Sequence, residues 1–302
     1  MSNNRSTHFN AILLALFVTF LWSTSWVLIK IGLEEIPPVT FAGLRYFIAF
    51  LVLLPFSLRP KQINEIKHIT PKTWLLLIGL GITFYALTQG AQFGSLKYLS
   101  ATTFSLILSF TSILVVFLGI AFLNEMPARG QWVGMCLFLI GIGFYFAESS
   151  AFQGEAIGWI IAAVAVAANA VSSILGRRVN REKNLSPILV TTISMGVGAI
   201  LLLTGGFIYQ GWAALSTKSW LIIIWLAVVN SALAFTLWNK SLRSLSAMES
   251  SVINNTMLFQ IAILAWQFLG EALAWFQVVG ILIAGFGTFL VQKKEQPSQS
   301  KR

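Results

Sequence analysis

SLKYLSATTFS at residues 95–105 and SLRSLSAMESS at residues 241–251 are one stretch written twice, 146 positions apart. The register holds in both directions. Upstream, Trp74, Leu75, Ile78, Ala86 and Leu87 fall on Trp220, Leu221, Ile224, Ala232 and Leu233. Downstream, FLNEMPARGQWVG at 122–134 falls on FLGEALAWFQVVG at 268–280. That match sets Glu125 on Glu271, Gln131 on Gln277 and Gly134 on Gly280, and Gly141 then meets Gly287. An unbroken register from Trp74 to Gly141 is more than apolar composition produces by accident. The chain is an internal duplication.

What each copy contains follows from composition. The 302 residues are 57% hydrophobic and 10% charged, with mean hydropathy +0.80. Soluble domains carry about 25% charged residues. Apolar runs near the length of a membrane-crossing helix recur throughout. They lie at about 10–31, 38–58, 74–93, 100–123, 130–147, 157–176, 187–208, 219–239, 247–269 and 275–291. The expected fold is therefore an all-α integral membrane protein with ten transmembrane helices. Residues 10–147 form the first five-helix repeat, 155–291 the second, and 292–302 a basic tail. Five is odd, so two fused copies cross the bilayer in opposite senses. No gap between spans is long enough for a soluble domain; the widest runs from Arg59 to Thr73. No small-x-small cleavage pattern closely follows span 1, which reads as retained. Cys136 is the only cysteine, so an intrachain disulfide is ruled out.

The formal net charge is +10. Sixteen of the 20 basic residues fall on the side of the chain termini and three (Lys30, Lys97 and Lys218) on the other, with Arg45 inside span 2. The positive-inside rule places both termini in the cytoplasm, consistent with a cell inner membrane. The basic excess is then a topology signal and an attraction for the anionic lipid bilayer, and no nucleic-acid partner is expected.

Asp is absent from the chain, and His8 and His68 both lie outside the spans. Zinc and iron sites need clustered His, Cys or carboxylates, so no metal is expected, and no His-centred triad can form in the spans. No Gly-rich loop ending in Gly-Lys-Ser/Thr is present. Neither a cofactor nor a catalytic set is expected. Glu249, just inside span 9, is the one acid placed to face a cavity. It reads either as a proton-coupling group or, at lower cost, as an interfacial charge.

Polar residues inside the spans line up at helical spacing. Span 1 has Thr19, Trp22 and Trp26; span 3 has Tyr85, Gln89 and Gln92; span 4 has Ser105, Ser109 and Ser112. Span 6 has Asn169, Ser172 and Ser173; span 8 has Asn230 and Trp238; span 9 has Ser251, Asn254 and Asn255. Each hydroxyl or amide could be glue between helices, worth about 0.6 kcal/mol. The repeat pairs Ser105 with Ser251 and Ser109 with Asn255, which favours one polar cavity between the halves. Its expected substrate-binding residues are Trp22, Tyr85, Gln89, Ser109, Asn169, Asn230, Trp238 and Asn255. The aromatic residues would stack on a small-molecule substrate, or else simply pack. Arg45 could attract a substrate carboxylate. The preferred reading is structural, with Arg45 snorkelling outward or pairing with Glu34 or Glu35. Spans 5 and 10 carry Gly134, Gly141, Gly143, Gly280, Gly285 and Gly287 with little polarity, and small residues allow close approach. They serve as packing helices or as a homodimer contact.

LWSTSWVLIKIGL (21–33), GLRYF (43–47) and the paired Glu-plus-Gln…Gly endings make the chain resemble the drug/metabolite transporter superfamily, with EamA-type repeats across nearly its whole length. The resemblance implies a bacterial inner-membrane carrier of small metabolites, commonly an amino acid exporter, with spans 1, 3, 4, 6, 8 and 9 around the cavity. Such repeats usually carry Pro about 13 residues before the Glu. Here Ser112 and Leu258 stand there, and spans 4 and 9 are expected to be straighter. A nucleotide-sugar or drug carrier is the alternative within the fold; a drug pump would want a mid-span Glu in span 1, which has none. A membrane-embedded lipid-modifying enzyme is the alternative of another class, disfavoured by the missing nucleophile–base pair.

Overall fold

The structure is a computed structural model describing residues 2–123, 128–147, 154–181, 185–211, 214–241, 245 and 247–292. Of the tail expected at 292–302, Gln292 closes the last helix and 293–302 lie outside the described residues. Among the described residues the chain folds into ten long helices with no strand. They are α1 (Ser2–Gly32), α2 (Pro38–Ser57), α3 (Pro71–Tyr98), α4 (101–123), α5 (Arg129–Tyr145), α6 (Ala156–Arg181), α7 (Pro187–Gln210), α8 (217–241), α9 (Ala247–Leu269) and α10 (Trp275–Gln292). Seven of them are long and apolar enough to cross a membrane by length and composition. A short helix, Pro60–Lys67, fills the widest gap.

Local chemistry sets the helix starts. Proline opens α2, α3 and α7, where its missing N–H costs nothing. Thr70, Ser100 and Ser216 cap α3, α4 and α8, each oxygen accepting the N–H three residues on at 3.0–3.2 Å. The duplication is visible in matched bonds. Ala128 N–H donates to Gln131 Oε1 at 2.9 Å, and Ala274 N–H donates to Gln277 Oε1 at 2.9 Å.

Repeat-equivalent helices pack on one another. A Cβ on Gly134 would meet Gly287 O at 2.7 Å, and one on Gly287 would meet Gly134 O at 2.6 Å. Gly141 and Gly280 repeat this exchange. Reciprocal contact of that kind is what a twofold relation between α5 and α10 requires. Gly134, Gly141, Gly280 and Gly287 therefore face each other inside one chain, whereas Gly285 lies against Phe259 and Gly143 has nothing within 4 Å of an added Cβ. Helices α2 and α7 form a second close seam, with Gly43 against the Leu203 backbone and Gly206 against Thr40. Between the seams lies a core of Trp26, Phe41, Tyr46, Phe93 and Phe104. Leu75, Ile160, Phe207 and Trp266 stay exposed, as lipid-facing residues should.

Two features depart from expectation. Helix α4 breaks at Ser109 although no proline is present. Ser109 Oγ donates back to Ser105 O at 3.1 Å, and Ser105 Oγ to Thr102 O at 2.8 Å; such back-bonding bends helices. Helix α9 is unbroken, as expected without proline. Helices α3 and α8 each contain a π-turn, Gly81–Gln89 and Val228–Leu233, at repeat-equivalent positions. A π-turn widens the helix and shifts which residues share a face, so the 3.6-residue stripe in span 3 is not one straight line.

Acidic side chains tie the loops to helix N-termini, where the dipole favours negative charge. Glu65 Oε2 accepts from Ser186 N at 2.6 Å, ahead of α7. Glu35 Oε2 accepts from Ser216 Oγ and Ser219 Oγ, both at 2.6 Å, ahead of α8. These hydroxyl bonds hold the Glu35 carboxyl below its ordinary range. A depressed carboxyl contributes stability that is present above its unfolded pKa and is lost as pH falls through the folded one. Glu35→Gln is therefore expected to flatten the acid side of a melting-temperature profile, below about pH 4.3. Parallel profiles for variant and parent would refute the tie.

Candidate functional site

The expected site residues fall into three groups rather than one ring. The first lies where α1 meets α8. Asn230 is fully buried, and its Nδ2 donates to Leu21 O and, at 3.2 Å, to Thr24 Oγ1. Trp22 Nε1 donates to the Asn230 carbonyl at 3.1 Å. Trp22 also packs on Trp238 and Phe235, with ring centres 5.2 Å away in each case. Asn230 and Trp238 thus do share a face toward α1, as their spacing suggested. Asn230 Oδ1, however, is buried with no hydrogen-bond partner.

A second group lies between α3 of the first repeat and α6 and α7 of the second. Tyr85 and Asn169 line a cavity of about 210 Å³ together with Phe84, Ser172, Ser173 and Ser194. Asn169 Nδ2 donates to Thr111 Oγ1 of α4 at 3.3 Å, and Ser172 and Ser173 both donate to the Asn169 carbonyl. Thr191 lines this cavity and also a larger one, about 340 Å³, bounded by Lys61, Thr236 and Lys240. The shared residue sets the two cavities side by side along α7, the larger one nearer the face that carries the chain termini. Phe235 joins the first two groups, lying 5.2 Å from Trp22 and 6.2 Å from Tyr85 between ring centres.

Arg45 centres the third group. Sequence reasoning preferred a side chain snorkelling outward or paired with Glu34 or Glu35. Instead Arg45 is 3% exposed and its Nε donates to Ser231 Oγ of α8 at 2.9 Å. Glu35 is occupied by Ser216 and Ser219. The cause is the seating of α2, which turns Arg45 into the core against α8 instead of toward the loop. The guanidinium centre sits 5.1 Å from the Tyr46 ring and 5.9 Å from the Phe93 ring, worth up to about 2 kcal/mol where desolvated. No carboxylate among the described residues pairs with it. Gln89 is held beside this group, accepting from Tyr46 Oη at 2.7 Å.

The remaining expected residues do other things or lie out of view. Ser109 bonds to its own helix at the α4 break, and Trp26 packs on Phe104. The side chains of Asn255 and Glu249 lie outside the described residues. Sequence reasoning missed Gln260 of α9, which accepts from Ser23 Oγ at 2.9 Å and donates to Thr256 Oγ1 at 3.0 Å. Its spacing of four from Thr256 was the available signal. Among the described residues no group of three His, Cys, Asp or Glu side chains could hold a metal ion.

The arrangement is a set of polar groups and two neighbouring cavities within a helix bundle. Known proteins resemble this chain over most of its length. An uncharacterized transporter of Bacillus subtilis (strain 168), YoaV, is 26% identical over 90% of this chain and 93% of its own length. A probable amino-acid metabolite efflux pump of Salmonella typhimurium (strain LT2) is 24% identical over 92% of this chain and 93% of its own. One crystal structure superposes with a TM-score of 0.67 over 93% of this chain and 97% of that one, at 17% identity, which bears on fold alone. The EamA-like transporter family matches twice, at residues 9–147 and 156–292. With the duplication, the ten helices and both matches together, this chain belongs to the EamA-like transporter family, as a multi-pass membrane protein.

Proposed function

We propose that the protein moves a small zwitterionic metabolite of the amino-acid type out of the cell by alternating access, without ATP. The observation that carries the reading is a complementary pair of polar groups between the repeats, a guanidinium with one hydrogen bond among the described residues and a buried amide oxygen with none. Arg45 offers donors that no acceptor among the described residues takes up beyond Ser231. Asn230, one residue from Ser231, offers a buried side-chain amide oxygen, Oδ1, that no donor meets. An unpaired buried charge costs several kcal/mol and an orphaned amide about 1–3 kcal/mol. Such costs are typical of a site that its ligand completes: a carboxylate on Arg45 and an ammonium on Asn230. The cavity lined by Tyr85 and Asn169 and the larger one beside it at Thr191 supply access from the terminal face. A substrate site at the junction of inverted repeats near mid-membrane is the pattern of secondary transporters.

The test is exchange of labelled compounds by the purified protein in lipid vesicles, with chelator present and no nucleotide. Amino acids are expected to exchange. Amines that lack the carboxylate are expected to be poor substrates. Transport only with ATP, or equal transport of amines and amino acids, would defeat the reading.

Both termini are assigned to the cytoplasm from the 16-to-3 distribution of basic residues. Alkaline phosphatase fused after Arg302 is expected to be inactive, and fused after Ser150 active. The opposite pattern would overturn the orientation.

A further inference from the structure

The larger of the two cavities is basic, and the candidate site uses none of its charges. It measures about 340 Å³, within the range of about 300–1,000 Å³ found for small-ligand sites. Its polar wall is Lys61 and Gln62 of the short helix, Ser186 and Thr191 at the start of α7, and Thr236 and Lys240 near the end of α8. No acidic residue among the described ones lines it. Glu65, one turn along from Lys61, holds Ser186 N at 2.6 Å instead. The two threonine hydroxyls donate to their own helices, to Pro187 O and Ala232 O. Neither lysine ammonium has a hydrogen bond or an ion pair among the described residues. Ser186 Oγ, buried in the wall, has no partner either. The positive end of the α7 dipole lies at the same wall.

Two cations with no counter-charge between them call for an anion. The positive-inside rule explains why lysines gather on this face. It does not explain why two of them, one from each repeat, share a single cavity without an acid. Depth and approach point to the kind of anion. Leu233, Thr236 and Lys240 stand at i, i+3 and i+7 on α8, hence on one helix face. Leu233 is 44% exposed, so that face looks out to lipid below the cavity. An acyl chain lying on Leu233 would carry its headgroup to Lys240, about 10 Å further along the helix. Basic pockets between membrane helices on the cytoplasmic side are where phospholipid headgroups bind.

We propose that this cavity binds a phosphate group, that of an anionic phospholipid in the leaflet on the terminal side, with Lys61 and Lys240 as the cations that hold it. The bound headgroup ties the short helix of the first repeat to α7 and α8 of the second, and so stabilises the junction of the halves. The cavity adjoins the smaller one at Thr191. On the transport reading above, a seated headgroup therefore narrows the approach to Tyr85 and Asn169 from this face. The binding itself does not rest on that reading.

The test is the melting temperature of the purified full chain in detergent. It is titrated with phosphatidylglycerol, with phosphatidylcholine of the same acyl chains, or with inorganic phosphate. Phosphatidylglycerol is expected to raise the melting temperature and phosphatidylcholine to leave it unchanged. Lys61→Gln and Lys240→Gln should each raise the half-saturating phosphatidylglycerol concentration about fivefold, and the two together about 25-fold, which corresponds to about 1 kcal/mol per cation near an anionic surface. Lys61→Arg/Lys240→Arg keeps both charges and should bind at least as tightly as the parent. Lys72→Gln removes a charge from the same face but not from the cavity, and should change nothing. All three lysines are exposed, so these variants are expected to fold. Equal weakening by Lys72→Gln, a parent-like titration of the double Gln variant, or equal protection by phosphatidylcholine would overturn the site. Protection by inorganic phosphate alone, lost in the double Gln variant, would keep the phosphate chemistry and reject the lipid as its source. Counterflow of labelled amino acids separates this site from the transport reading: protection without transport of any amino acid rejects that reading alone, and transport with lipid-insensitive melting rejects the site alone.

Discussion

Arg45→Met is expected to abolish transport of carboxylate substrates, by about 100-fold or more in kcat/KM, while leaving the protein as stable as the parent or more so. The two effects have one cause. Arg45 is a guanidinium buried at 3% exposure whose one described hydrogen bond is to the neutral Ser231 hydroxyl. Replacing a buried ion by an apolar side chain of similar volume is often neutral or stabilising, because the desolvation penalty disappears with the charge. Ser231 loses a partner but can turn its hydroxyl to its own helix, as Thr236 does toward Ala232 O at 2.7 Å. A bound carboxylate would lose a charge-assisted bond in a low-dielectric site, worth about 3–5 kcal/mol by the cost of breaking a buried pair. Arg45→Lys keeps the charge but not the planar fork, and should recover only part of the rate. The measurement is exchange rate per inserted molecule, read beside the melting temperature. A large fall in melting temperature with an unchanged rate per folded molecule would make Arg45 a structural clamp between α2 and α8 and remove it from the site.

The fold was legible because membrane insertion leaves few options. A run of some twenty apolar residues must become a helix, since lipid offers the backbone no other partner. Duplication with an odd span count then dictates the inverted arrangement, and Gln131 and Gln277 show how closely the halves agree. The arrangement of the candidate residues was legible only in part. Spacing set Asn230 and Trp238 on one face of their span, and in the fold both meet α1, Asn230 at Leu21 and Trp238 at Trp22. Tyr85 and Asn169, both expected to face a cavity, line the same one. Sequence reasoning misplaced Arg45, because the cost of a central charge argued for escape to the interface, and the register of α2 against α8 is not written in α2 itself. It overlooked the π-turns for a related reason. A π-turn adds one residue to a helical turn without any required residue type, so it leaves no mark in a single sequence. Only its recurrence at equivalent places in α3 and α8 shows that it belongs to the repeat.

Two glycines two residues apart on α5 should respond to the same substitution in opposite ways. Gly141→Ala is expected to destabilise the protein by about 1–3 kcal/mol or more, the cost of overpacking a filled interior. The added methyl would stand 2.6 Å from Gly280 O and 2.8 Å from Ala284 Cα, both backbone atoms of α10 that cannot rotate aside. Helix α10 would have to move outward, and the reciprocal contact of Gly280 with Gly141 would open with it. Gly143 points away, with nothing within 4 Å of a Cβ placed there. Gly143→Ala should therefore be neutral or stabilise by about 0.5–1 kcal/mol, through the backbone entropy that glycine loses in a helix. Neither residue touches the candidate site, so transport per correctly folded molecule should match the parent in both. Paired melting curves in detergent decide the matter, with size-exclusion profiles alongside. Should Gly143→Ala prove the damaging change and shift the protein from a larger to a smaller particle, a second copy of the chain must rest on the outer face of α5, in addition to the α5–α10 seam within one chain.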